Sequence, residues 1–166
     1  MNKGILTNPN GFQTNVWGPG AWLFLHCITL NYNPVFKKQY YIFFNTIQYI
    51  LPCKGCRDNY SYSINKSKSL KFTYSTLKNR DTLSRWFFNL HNYIRCKTKN
   101  KITYANNEEG YKSMLEFYER FRAKCGSNKS HTKCSKSFYK GMRLRTRIIV
   151  KPFCNYKTKN SIIMKL

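Results

Sequence analysis

The sequence predicts an all-α fold: a four-helix bundle with a short fifth helix, followed by a basic C-terminal extension. Three observations carry this. Apolar residues recur at three- and four-residue intervals in five segments, the breaks between them carry Asn, Pro, Gly or Ser, and there is no credible central sheet. At 166 residues the chain suits one domain. Its 13 Tyr and 12 Phe supply large core side chains and argue against global disorder.

Residues 1–16 lack periodicity and read as a loose arm ending at Val16 and Trp17. A first helix is expected from about Gly20 to Tyr32, with Trp22, Leu25, His26 and Thr29 at helical intervals, so Trp22 and His26 share a face. Asn33 and Pro34 break it, and Phe36, Tyr40, Phe43, Phe44, Ile47 and Ile50 then form a broad apolar stripe whose length favours helix over a buried strand. A third helix opens at Pro52, well placed in a first turn, and carries Cys53 and Cys56 near its N-terminus. Residues 65–78 read as a loop.

The fourth helix, about Asp81 to Lys97, is the clearest, with Leu83, Trp86, Phe87, Leu90, His91 and Ile94 on one face. A fifth runs within residues 106–124, with an Asn cap, Glu108 and Glu109 favourable to the helix dipole, and Gly110 as its weak point. The organisation is an arm at 1–15, a helical domain at 16–124 and an extension at 125–166, with one short apolar run, "RIIV".

The formal net charge is +24, and from Cys125 onward there are 11 basic residues and no acidic one. Such a field attracts polyanions, nucleic acid or an anionic membrane surface, in a salt-dependent way; a solvated basic tail is the plainer reading. With neither a signal peptide nor a membrane span visible, the expectation is a soluble intracellular protein. Seven cysteines there point to metal ligands, redox groups or buried thiols rather than a secreted disulfide framework.

Cys53 and Cys56 admit three readings. Zinc needs a second half-site, for which His91 with Cys96, or Cys125 with His131 and Cys134, are candidates without compact spacing. Buried inert thiols are the second reading. The third is redox: a helix N-terminus with Lys54 and Arg57 nearby should stabilise a thiolate and lower its pKa. A thioredoxin fold would need a βαβ pattern, and the G-x-G-x-x-G dinucleotide fingerprint is missing.

Three blocks then become recognisable in order. "WGPGAWLFLHCITLNY" at 17–32, "LPCKGC" at 51–56 and "RWFFNLHNYIRCK" at 85–97 resemble the Erv/ALR-type FAD-linked sulfhydryl oxidases of eukaryotic organelles and large DNA viruses. The resemblance covers about residues 16–124 and implies a bundle, commonly homodimeric, that holds FAD between helices. It implies that thiols of a protein substrate, or of a thioredoxin-like relay partner, exchange with a Cys pair. Electrons then pass through FAD to oxygen, yielding hydrogen peroxide.

By position the resemblance makes Cys53 the outer cysteine and Cys56 the flavin-side one. Trp22 and His26 match positions that pack on the cofactor, with Gly18 and Tyr32 nearby; His91 and Asn92 match a pair on the adenine and ribose side. Arg95 replaces a family asparagine and could salt-bridge the pyrophosphate, and the downstream basic position is open among Lys97, Lys99 and Lys101. A cross-linking cysteine pair for the fifth helix is not evident, which leans toward the viral branch, in host cytoplasm and virion. Cys125 and Cys134 could form a bridge, act as a shuttle or stay unpaired, and Cys154 is unassigned. The competing function is a basic nucleic-acid-binding or virion-associated protein with zinc on its Cys and His residues.

Overall fold

In α1, Thr14–Leu30, the apolar face of the first recognisable block is wound into a helix that begins six residues before the expected start. Gly-Pro-Gly at 18–20 reads as a turn in isolation, yet the helix runs through Pro19. A local bond ties its first turn to the preceding segment: the Trp17 indole donates to the Phe12 carbonyl at 3.3 Å. The computed structural model describes residues 11–99 and 108–123, with the backbone of two short strands at 148–149 and 163–164. The fifth-helix Asn cap, Lys101, Cys125, His131, Cys134 and Cys154 lie outside the described residues.

A 3-10 turn at Pro34–Phe36, capped by Asn33 Oδ1, leads into α2, Lys37–Ile50. Next comes α3, Lys54–Asn65, which begins after Cys53 rather than at Pro52. The expected loop at 65–78 holds one 3-10 turn, Tyr74–Leu77. A reciprocal pair then opens α4, Arg80–Lys99: Thr82 N donates to Asn79 Oδ1 at 2.9 Å and Asn79 N to Thr82 Oγ1 at 3.1 Å. The last helix, α5, is Glu108–Glu119. With five helices among the described residues, the all-α expectation holds.

Helix α1 packs on α4 and α2 on α3. Phe44, Leu77, Leu83, Phe87 and Leu90 are wholly buried at the centre. Polar ends within this core are satisfied: Tyr32 Oη donates to Leu77 O, Tyr60 Oη to Phe44 O and Trp86 Nε1 to Leu70 O, at 2.8–2.9 Å. Aromatic rings therefore bury their area without stranding a donor, and each such bond ties two segments together.

The chain divides into two units, residues 1–111 and 112–166. In the first, the start of α5 is clipped to α4. Arg85 pairs with Asp81 at 2.8 Å and with both Glu108 oxygens at 2.6 and 3.0 Å, its guanidinium lying 4.0 Å from the Tyr111 ring centre. Ser84 and Tyr111 share a hydroxyl bond of 2.6 Å. In the second, Phe117 packs edge-on to Tyr118 and Phe121, and Ile148–Ile149 pairs antiparallel with Ile163–Met164. The two isoleucines of the "RIIV" run thus form one side of a two-residue ladder.

Candidate active site

Two residues spaced by four on α1, Trp22 and His26, meet two spaced by four on α4, Phe87 and His91. Trp22 stacks on His91 with centroids 4.0 Å apart and planes 8° apart. His26 Nε2 lies 3.0 Å from His91 Nδ1, and the edge of His26 meets Phe87 at 4.8 Å. Burial holds both imidazoles neutral, with His26 lowered to about 3 and His91 to about 4; the neighbouring His91 adds to this for His26, and the Arg95 charge adds to it for His91. Each neutral imidazole has one N–H to donate and one lone pair to accept, so one ring can donate and the other accept in a single bond between them.

Asn92, the next residue on α4, is 6% exposed, and its amide Nδ2 has no hydrogen-bond partner. A buried donor left unmade costs about 1–3 kcal/mol, so this position is suited to an acceptor brought by a ligand. Gly18 is buried on α1, and a Cβ there would meet nothing within 4 Å. An aromatic shelf, an unspent amide and a nearby guanidinium fit a flavin nucleotide, which presents flat rings, acceptor atoms and phosphates.

Helix α3 brings the cysteines. Cys53 is its N-cap, with extended backbone, and its sulfur accepts the Cys56 amide at 3.3 Å, taking the place Ser or Asp usually fills. Both are half-buried thiols. The expectation of a lowered pKa does not hold for Cys56, which is pushed up to about 12. Burial is the main cause and the bond and charge of Cys53 add to it; the Cys56 amide and Arg57 oppose it without prevailing. The Arg57 side chain is turned to the Leu51 carbonyl, 2.7 Å away.

Lys97 donates to Asn59 Oδ1 at 2.8 Å and lies 5.9 Å from the Tyr62 ring centre, joining α4 to the cysteine helix. Tyr32 is engaged elsewhere, with Leu77 and edge-on to Tyr40 at 4.8 Å. The structure thus gathers Trp22, His26 and His91, with Asn92 beside them on α4. Sequence reasoning took Phe87 as plain core; its spacing of four from His91 was the available signal. It missed Asn59, which lies one turn beyond Cys56, and Gly11 and Phe12, for which local sequence holds no signal.

The Erv1 / Alr family model matches residues 19–122. The chain belongs to that family. A protein of Acanthamoeba polyphaga mimivirus, named for FAD-linked sulfhydryl oxidase activity, is 36% identical over 104 residues, 60% of this chain and 71% of its own. A similarly named protein of Invertebrate iridescent virus 6 is 26% identical over 88 residues, 50% of this chain and 79% of its own. The match covers all three sequence blocks except Trp17 and Gly18. Among the described residues no three His, Cys, Asp or Glu side chains gather as a metal site. None of the described helices is long and apolar enough to cross a membrane.

Proposed function

We propose that this Erv1 / Alr family protein is an FAD-dependent thiol oxidase that forms disulfides in protein substrates. Bound FAD supplies a two-electron acceptor that hands electrons on to oxygen, releasing hydrogen peroxide. The observation that carries the site assignment is the Trp22–His91 stack beside the partnerless amide of Asn92. We assign cofactor binding to Gly18, Trp22, His26, His91, Asn92 and Arg95. Tyr32 supports the α1 end through Leu77, and Lys97 acts through Asn59 on the cysteine helix.

In the proposed exchange a substrate thiolate attacks Cys53 Sγ of the oxidised pair. The Cys53–Cys56 bond breaks, and its electron pair leaves on Cys56. A second substrate thiolate attacks the substrate sulfur of the mixed disulfide, releasing the substrate disulfide and the Cys53 thiolate. With its pKa raised by burial and by Cys53, Cys56 takes up a proton once the dithiol has formed.

The same reading extends to partners. Exposed apolar residues on α1 and α2, Phe24, Ile42, Tyr49 and Ile50, support a homodimer through these helices. A thioredoxin-like protein is the proposed relay, the basic residues after Cys125 are proposed to hold nucleic acid or an anionic surface, and the viral relatives support host cytoplasm and virion as the location.

The test is an absorbance spectrum from about 300 to 600 nm and oxygen uptake with a dithiol, for the native chain and Cys56→Ser. A flavin band with uptake abolished in the variant is expected. A colourless protein that cannot take up FAD would sink the reading.

A further inference from the structure

Gly11 holds a left-handed backbone, φ 78°, and faces Cys53 across an isolated antiparallel bridge. Phe12 N donates to the Pro52 carbonyl at 2.6 Å. A Cβ at position 11 would run into the Pro52 carbonyl oxygen and come within 2.7 Å of its carbon and 3.1 Å of Cys53 Cα. An L side chain is disfavoured twice there, by backbone conformation and by space. The other end of this segment is held by the Trp17 indole on the Phe12 carbonyl.

These contacts fall on the member of the cysteine pair that lies outside the helix. Cys56 is the third residue of α3 and is ordered by it, whereas Cys53 is the cap, with extended backbone at φ −145° and ψ 128° and no helical constraint. We propose that Gly11 and Phe12 form a strap that positions Cys53 for disulfide exchange, a role resting on the thiol-oxidase reading above. Gly11 is thus a positioning residue that acts through Cys53.

The energetic consequence has a definite sign. Closing the Cys53–Cys56 bond fixes the Cys53 backbone, and the strap has already removed much of that freedom from the dithiol. Pre-ordering lowers the entropy lost on closure, so the strap favours the disulfide over the dithiol. It also fills part of the main-chain edge at Pro52 and Cys53, so a substrate meets the sulfur there without adding a strand. Phe12, 68% exposed, is the side chain set next to that edge.

The test equilibrates the full chain with FAD against glutathione and glutathione disulfide without oxygen, then counts alkylated Cys53 and Cys56 by mass spectrometry. Each enzyme disulfide consumes two glutathione thiols and returns one glutathione disulfide. Gly11→Ala is expected to shift the equilibrium about tenfold toward the dithiol, about 30 mV in potential. Trp17→Phe, which removes only the far anchor, should shift it less and in the same direction, and carries the test if Gly11→Ala does not fold. Circular dichroism and flavin content verify the fold. An equilibrium unchanged within about twofold in folded variants overturns the strap. Absence of flavin and oxygen uptake in the parent chain overturns the oxidase instead, and the glutathione equilibrium remains readable in either case.

Discussion

His26 Nε2 and His91 Nδ1 lie 3.0 Å apart, joining α1 to α4 by a bond between two neutral imidazoles. Replacing His91 by Leu removes this bond and the ring stacked on Trp22. This bond and ring contact, together worth about 1–3 kcal/mol of stability, hold the Trp22 ring in place. The urea midpoint should therefore fall, and FAD affinity should drop about tenfold with the loss of the ordered aromatic shelf. Fluorescence titration of FAD into the stripped protein measures it, with circular dichroism expected to be unchanged.

The same pair sets a pH dependence. The unfolded imidazoles bind protons near 6.5, while the folded ones resist to about 3 and 4. The contribution is therefore full above about pH 6.5 and is lost progressively as pH falls toward 4, because the unfolded state binds the extra protons. Urea midpoints at several pH values should show this slope, and His26→Gln with His91→Gln should flatten it.

Asn92 separates binding from folding. Asn92→Leu removes the buried amide that lacks a partner, so the FAD-free protein should be no less stable than the parent. FAD affinity should nevertheless fall by about tenfold or more, the value of one lost bond. Loss of stability without loss of affinity would place Asn92 in the scaffold.

The cysteines should behave unequally. Cys56→Ser leaves Cys53 without its resolving partner, so a mixed disulfide with a substrate thiol should accumulate at position 53, visible as an added mass. Cys53→Ser should trap far less, since Cys56 is the helix-held thiol and the proposed flavin-side member. Oxygen uptake should vanish in both variants.

Tyr111 tests the clip on α5. Its hydroxyl meets Ser84 at 2.6 Å and Asp81 at 3.2 Å, so Tyr111→Phe should cost about 1 kcal/mol in urea unfolding. The exposed Arg85 pairs should contribute little more than this. Flavin content should stay unchanged.

The sequence by itself determined the helical periodicity, the breaks and the residue types at the site, because burial of one face imposes spacings of three and four wherever a helix packs. It therefore placed Trp22 with His26 on one face and His91 on the apolar face of α4. Tertiary structure alone decided that α1 runs through Pro19, that His26 bonds His91 across 65 positions, and that Gly11 lies against Cys53. It also reversed the expected direction of the Cys56 pKa, since desolvation depends on the atoms packed around a sulfur and local sequence records only the charges beside it. Local spacing follows from one helix's geometry, while cross-chain contacts, burial and backbone clearance arise only when helices meet.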